Sequence, residues 1–414
     1  MDEGLNYIAF AIPVFLGSVL LEAYLARKRG KPELYYLGTA LSDITTGTVF
    51  QALEVLLKLI TFGVYIWVWE HLPVLDWGEH QWVAWAIGLI GVDLAFYWWH
   101  RVSHVVNFMW AVHGVHHQSE DYNLAVALRQ PAFEPVTWFF FYLPLAFLGV
   151  SPEVYIASYA INRLYQFWIH TQLVGKLPAP FEWVLNTPSH HRVHHGVQDQ
   201  YLDKNYGGVL IIWDHMFRTF EPEGEEVVYG TTVPLRSYNP VWGNLQHFAR
   251  IVELARRAPN LGEKLWAVVA HPAWLPTGMQ RDPNEDKRML GPGRPGPKYR
   301  PDIPTPTALY VLVHAGLSGA LMVPFLLLEH ELSLAKLGAG AAVLIFGSMV
   351  LLALIERRSW AMQAERIRGA VTTMAVAWLA SPWLSELAVL ALALTMLAFM
   401  AGSYALYERI QSRS

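Results

Sequence analysis

Gln81-Trp-Val-Ala-Trp-Ala-Ile-Gly-Leu-Ile-Gly-Val-Asp93-Leu-Ala-Phe-Tyr-Trp-Trp99-His100-Arg-Val-Ser-His104 joins two signals in one run. Between Gln81 and Trp99 only Asp93 carries a charge, and the length approaches the ~20 apolar residues with which a helix crosses a bilayer. At its end stand His100 and His104, four residues apart and so on one helix face. The run predicts a membrane helix that delivers a pair of imidazoles to its own end.

Working outward, comparable apolar segments occupy residues 6–26, 48–69, 132–150, 154–169, 308–328, 334–355, 370–380 and 387–407. Those at 154–169 and 370–380 are short and carry polar residues, which suits re-entrant or tilted helices. The chain is 54% hydrophobic and 15% charged, with 18 Trp, a side chain favoured where membrane meets water. The predicted fold is an all-α, polytopic membrane helix bundle. The first segment is preceded by Asp2 and Glu3 and followed by Arg27-Lys28-Arg29-Gly30-Lys31. That order reads as a first transmembrane helix rather than a cleavable signal peptide.

Basic residues favour the cytoplasmic side. They follow alternate segments: Arg27–Lys31, Arg101, the polar stretch 171–305, Arg357 with Arg358, Arg366 and Arg368, and finally Arg409 and Arg413. The intervening loops 70–80, 149–153, 329–333 and 381–386 hold none. One orientation satisfies every loop and puts every histidine cluster on the cytoplasmic side. Four units follow: an N-terminal membrane helix and basic loop at 1–40, a histidine-rich core at 41–225, a cytoplasmic-side unit at 226–305, and C-terminal membrane helices at 306–414. Within the third, residues 241–257 read as amphipathic, and residues 282–306, rich in Pro, Gly and charge, read as a flexible linker.

The chain has no Cys, so disulfides, thiolate metal sites and Cys nucleophiles are excluded. A net charge of −4 with no basic aromatic patch argues against a nucleic-acid partner. The anomaly is histidine, 17 in all. Three clusters stand out: His100 with His104; His113, His116 and His117; and His190, His191, His194 and His195. On helices the second and third clusters each make a three-ligand fork, His113/His116/His117 and His191/His194/His195. Neutral imidazole suits Fe, Zn, Cu and Ni. Eight imidazoles are too many for one ion and suit two adjacent ions with four or five ligands each. Asn162, Gln166 and His170 form a polar stripe on an apolar segment, and His170 reads as a ninth ligand rather than an interfacial residue. His71, His80, His247, His271, His314 and His330 read as packed, hydrogen-bonded histidines. Asp93, Glu134 and Asp214 are candidates to orient the imidazoles, or are polar contacts of the fold. Trp98, Trp99, Phe139, Phe140 and Phe141 either line a path for an alkyl chain or simply pack.

The ordered motifs HxxxH, HxxHH and HxxHH resemble those of the fatty acid hydroxylase/sterol desaturase superfamily, over residues 43 to 220. Tyr165-Gln-Phe-Trp-Ile-His170-Thr, Asn186-Thr-Pro-Ser-His-His-Arg-Val-His-His-Gly196 and Asp203-Lys-Asn-Tyr-Gly-Gly-Val-Leu-Ile-Ile-Trp-Asp214 resemble its alkylglycerol monooxygenase branch, as do the additional C-terminal helices. The resemblance implies a membrane-embedded enzyme that holds two Fe ions, uses O₂ and acts on a lipid. The ligands it implies are His100, His104, His113, His116, His117, His170, His191, His194 and His195, with His190 a ligand or a neighbour of one. For the branch it implies hydroxylation of the carbon next to an ether oxygen, collapse of the hemiacetal to an aldehyde and glycerol, and tetrahydrobiopterin as reductant. Arg218 departs from the pattern, which has Gly after Phe217. No haem-binding motif (His271-Pro-Ala-Trp is a poor match) or nucleotide-binding glycine loop is recognisable, so electrons come from an external donor. Two alternatives use the same residues: a sterol or fatty-acyl hydroxylase or desaturase, and, outside enzymes, a His-rich metal transporter. A transporter needs ligands at several depths along a pore, whereas these gather at one membrane face.

Overall fold

The computed structural model describes residues 7–281, 287–291 and 293–411. Asn6, the start of the first expected segment, lies outside the described residues. So do Asp282–Asp286 and Pro292 of the expected linker.

The N-terminal helix α1 (Tyr7–Lys28) leads through a short 3₁₀ turn into α2 (Leu37–His71), and α3 (Gln81–Val105) returns. Helix α2 starts eleven residues before the apolar segment expected at residue 48. At 35 residues it is ~53 Å long, well beyond a hydrocarbon core of ~30 Å. Its first turns bury polar residues, among them Ser42, Asp43, Thr45 and Thr46, so this end stands clear of the lipid and packs against protein. The short α4 (Asn107–His113) turns the chain beneath α3. Helices α5 (Glu134–Phe147) and α6 (Pro152–Trp168) then form a hairpin.

With 14 residues, α5 is too short to span alone. The hairpin tip nevertheless reaches the α2–α3 loop: the Val74 N–H donates to the Phe147 carbonyl (2.7 Å) and the Trp77 indole N–H to the Leu148 carbonyl (2.9 Å). Gly149 makes the turn at φ +76°, where an added Cβ would sit 2.1 Å from the Leu75 carbonyl oxygen. Since α5 and α6 come as a pair, the alternation of sides along the chain is unchanged.

Four short helices and one longer one follow on the polar side: α7 (Ala179–Val184), α8 (Pro188–His194), α9 (Ile212–Phe217), α10 (Pro240–Arg257) and α11 (Leu261–Val269). Residues 287–291 and 293–304 cross the protein surface as a strap, with a small hairpin pairing Met289–Gly291 with Arg294–Pro295. The strap is pinned where Arg300 and Lys298 pair with Asp121. The chain ends in α12 (Thr305–Leu327), α13 (Leu334–Ile355), α14 (Ala361–Ala380) and α15 (Glu386–Gln411).

Among the described residues, six helices are long and apolar enough to cross a membrane: α1, α2, α3, α12, α13 and α15. One buried core joins α2, α3, α5 and α6 around Tyr65, Phe96, Trp99, Trp138 and Tyr155. Two others join α2 to the C-terminal helices, one around Leu41, Tyr310 and Leu351, the second through Ala52, Phe325 and Leu337. The C-terminal helices therefore pack directly on the histidine-bearing half.

Candidate metal centre

The nine histidines come from five places along the chain and converge. His100 and His104 lie in the last turns of α3, and His113 ends α4. His116 and His117 occupy a 3₁₀ turn, so the second fork is a helix end plus a turn rather than one helical face. His170 follows α6. His191 and His194 sit on α8, which Thr187 caps, and His195 closes it.

Their ligand atoms fall into two groups: His100, His104, His113, His117 and His194 in one, His116, His170, His191 and His195 in the other. Within each group one nitrogen per ring lies within 4.8 Å of the others. The groups touch, with the His117 ring stacked on that of His195 at 4.4 Å. All nine side chains are buried.

Backbone carbonyls orient four of the rings. Nδ1–H donates to the Tyr206 carbonyl from His100 (2.8 Å), to that of Arg129 from His116 (3.0 Å), to that of Gln166 from His170 (2.8 Å) and to that of Lys204 from His194 (2.9 Å). A carbonyl only accepts, so each of these rings keeps its proton on Nδ1 and presents a lone pair at Nε2. The consequence is sharpest between His116 and His170. Their Nε2 atoms are 3.2 Å apart, two lone pairs facing each other with no proton left to share. A cation resolves that contact. The Nε2 atoms of His104 and His194 are likewise buried with no hydrogen-bond partner. Burial pushes His113, His116, His117, His191, His194 and His195 well below the usual imidazole range, and His170 to about 4. The rings are thus in the neutral form that binds metal. The donor set fits two imidazole-bound metal ions.

His190 stands apart. Its Nε2 faces Glu182 at 3.0 Å, and the same carboxylate accepts from Ser189 Oγ (2.6 Å) and Thr187 Oγ1 (2.8 Å). It braces the start of α8. Asp93, Asp214 and Glu134 touch no imidazole. Asp93 accepts from the Val209 and Leu210 N–H groups, Trp213 and Asn162, and Asp214 accepts from the Tyr206 and Gly207 N–H groups. Both therefore fix the loop whose Tyr206 carbonyl holds His100. Glu134 pairs with Arg163 at 2.9 Å.

Two supporting groups escaped the sequence reading. Asp43, on the protruding end of α2, pairs with Arg129 (3.2 Å) and accepts from Ser119 Oγ (3.0 Å), which locks the segment whose Arg129 carbonyl holds His116. Asp203 lies between Nδ1 of His104 (3.6 Å) and Nε2 of His271 (3.3 Å). Of the histidines expected to be packed, His247 meets Asn107 Oδ1 (2.6 Å) and His314 meets Ser403 Oγ (3.1 Å) and Arg368 (2.9 Å).

On the membrane side, Trp99 covers His100 and His113, with ring centres 6.0 and 5.1 Å away, inside the core that holds Phe96 and Trp138. An apolar cavity of about 840 Å³ runs along the α3–α5 seam, from Ala86 to Trp98 on one wall and from Phe140 to Leu148 on the other. Trp98, Phe140 and Phe141 line it, while Trp99 and Phe139 pack into the core.

Residues 85–219 match the family model described as Fatty acid hydroxylase. Alkylglycerol monooxygenase of Homo sapiens is 42% identical over 279 residues, covering 67% of this chain and 62% of the relative. Its counterpart in Xenopus tropicalis is 39% identical over 274 residues, 66% of this chain and 60% of the relative. Lathosterol oxidase of Mus musculus is 27% identical over 139 residues, 32% of this chain and 43% of the relative. The alignments thus span less than two thirds of the curated relatives' length. No solved structure matches the chain.

Proposed function

We propose, from the match of residues 85–219 to the fatty acid hydroxylase family model, that this chain is a membrane di-iron monooxygenase acting on the carbon beside the ether oxygen of an alkylglycerol. The observation that carries the metal reading is the pair of opposed Nε2 lone pairs on His116 and His170. The ether-lipid reading rests on the identity with alkylglycerol monooxygenases. In this proposal His100, His104, His113, His117 and His194 hold one iron, and His116, His170, His191 and His195 the other. Residues 41–225 form the catalytic unit, and the remaining segments anchor and cover it.

When bound, a ferrous pair supplies the redox chemistry with O₂ that side chains lack. The chain's own residues prepare for it. The carbonyls of Tyr206, Arg129, Gln166 and Lys204 hold four imidazoles as Nδ1–H tautomers, so none of these four reorients on loading. Trp99, Phe96 and Trp138 exclude water where the C–H bond must approach. The cavity between α3 and α5 suits the alkyl chain. Overall, an alkylglycerol, O₂, two electrons and two protons give a hemiacetal and water. The hemiacetal's bond to the glycerol oxygen then breaks, giving a fatty aldehyde and glycerol. The electrons come from an external donor, tetrahydrobiopterin in this reading. The alternation of basic loops supports a cytoplasmic-side position for the centre.

The test is the metal content of detergent-purified protein expressed with added iron, beside His113→Ala and His194→Ala. About two metal ions per chain, one for each imidazole group, falling in both variants, is expected. Wild-type metal near zero, or unchanged in the variants, would sink the oxygenase reading. With metal established, incubation with an alkylglycerol, O₂ and tetrahydrobiopterin should release fatty aldehyde. A hydroxylated sterol or acyl product instead would transfer the site to the other branch of the family.

A further inference from the structure

Helix α10 bridges the ends of two spanning helices. Near its start, Trp242 borders the C-terminal end of α13 beside Glu356, Arg358 and Trp360. Further along, His247 meets Asn107, and Phe248 stacks edge-on with Phe108 at 5.7 Å, immediately past the end of α3. Both span ends lie on the basic face of the bundle. A helix that touches both runs along that surface instead of rising from it. Helix α11 is tied to the same level, because the Asn107 backbone N–H and side-chain amide donate to the carbonyls of Ala270 and Ala267, each at 2.8 Å.

Both helices leave apolar faces uncovered. On α10, Trp242, Leu245 and Val252 share one exposed stripe, being 44, 42 and 47% exposed. On α11, Ala267 is fully buried against the protein, while Leu261, Leu265, Trp266 and Val269 are 71, 64, 53 and 50% exposed. At ~100° per residue these four fall on the arc opposite Ala267. Water is a poor partner for such a face. The stripe continues the lipid-facing surface of Val105 and Phe108, which are 37 and 42% exposed. Arg250, Arg256, Arg257 and Lys264 on the two helices outnumber Glu253 and Glu263, a charge balance suited to anionic headgroups.

We propose that α10 and α11 are in-plane membrane helices whose exposed apolar faces are seated in the headgroup–acyl boundary of the leaflet next to the histidine centre. The occupant is the bilayer itself, of anionic composition. The inference rests on the membrane geometry and not on the metal reading, so either can fail alone. It gives the histidine centre a cover that touches the leaflet, so a lipid reaches it without leaving the bilayer.

The absence of Cys makes the test clean. Single nitroxide labels go on Leu265→Cys and Val252→Cys, with Glu226→Cys on the exposed polar loop as the aqueous reference. The full chain is reconstituted in vesicles of phosphatidylcholine and phosphatidylglycerol. Accessibility to O₂, which concentrates in lipid, is compared with accessibility to a water-soluble nickel chelate. Each variant is first checked for wild-type elution and melting temperature. The O₂-to-nickel ratio at Leu265 and Val252 should exceed that at Glu226 several-fold, with the larger excess in anionic vesicles. Equal ratios at all three positions overturn the proposal. Labels shielded from both reagents, with spin–spin broadening between chains, overturn it too and make this face an interface between copies.

Discussion

Asp203 holds a left-handed backbone conformation (φ 59°) without being glycine, a strained geometry that folds keep where a side chain must be aimed. Its carboxylate stands between His104 and His271, making His104 the one ligand candidate with a carboxylate at Nδ1 among the described residues. A carboxylate there fixes the ring and strengthens its donor nitrogen. Asp203→Ala should weaken metal binding at the five-imidazole group by ~10–100-fold, read by titrating metal-free protein, while the four-imidazole group keeps its affinity. Equal affinities in variant and wild type would reduce Asp203 to a surface turn. Arg218, the departure from the family's glycine, has the same backbone form (φ 60°) where it closes α9; glycine suits that position because it lacks the Cβ. The nine imidazoles were legible in the sequence because three- and four-residue steps are visible in any chain. The groups that hold them were not. A carbonyl such as that of Tyr206, Lys204 or Arg129 has no residue-type signature, and Asp203 is distant in sequence from His104, which it orients. Asp93 and Asp214, readable as imidazole partners or as polar contacts of the fold, act one step removed, through the loop they fix.

Helix α2 couples the membrane to the centre, and among its glycines Gly47 leaves the least room for a side chain. An added Cβ there would meet the Leu128 carbonyl oxygen at 2.2 Å. Leu128 immediately precedes Arg129, whose carbonyl orients His116 and whose guanidinium pairs with Asp43 one turn back on α2. Gly47→Ala should force the two elements apart, costing ~1–3 kcal/mol and lowering metal content. The melting temperature and metal stoichiometry of the purified variant check both effects. A variant with wild-type values would mean that the 126–129 segment yields without disturbing His116. The extent of α2 was hidden in the sequence because its first eleven residues bury Ser42, Asp43, Thr45 and Thr46, and hydropathy does not register a buried polar face. Helices α4, α7, α9 and α11 were missed because each offers too few turns for a 3.6-residue period to emerge, and α8 was expected only through the helical fork of its histidines. Only α10, at 18 residues, stood out as the amphipathic segment at 241–257.

At the scale of the whole molecule, apolar cores bind the two halves, and the C-terminal half holds a buried polar network of its own. In the C-terminal bundle Arg368 pairs with Glu365 (2.6 Å) and contacts His314, while Tyr310 donates to the same carboxylate. This network is satisfied internally. The metal-free histidine centre is not, and it sets how the molecule responds to acid. Seven of its imidazoles, from His113 to His195, are depressed by burial, most of them far below the usual range and His170 to about 4. Unfolded, each titrates near ~6.5. Below that pH the unfolded chain binds protons that the folded chain refuses, so stability falls as pH falls, by at most ~1.4 kcal/mol per pH unit per imidazole. Above ~7 neither state protonates these groups, and their contribution is constant. The melting temperature of metal-free protein in detergent should therefore be level above pH 7 and drop steeply between pH 6.5 and 5. A His116→Leu, His195→Leu double variant should drop less steeply. Loaded protein should resist longer and then release metal in the same window, because protons and metal compete for the same lone pairs. A melting temperature that holds or rises on acidification to pH 5 would mean that the centre takes up protons without penalty, and the opposed lone pairs of His116 and His170 would then need no metal to reconcile them.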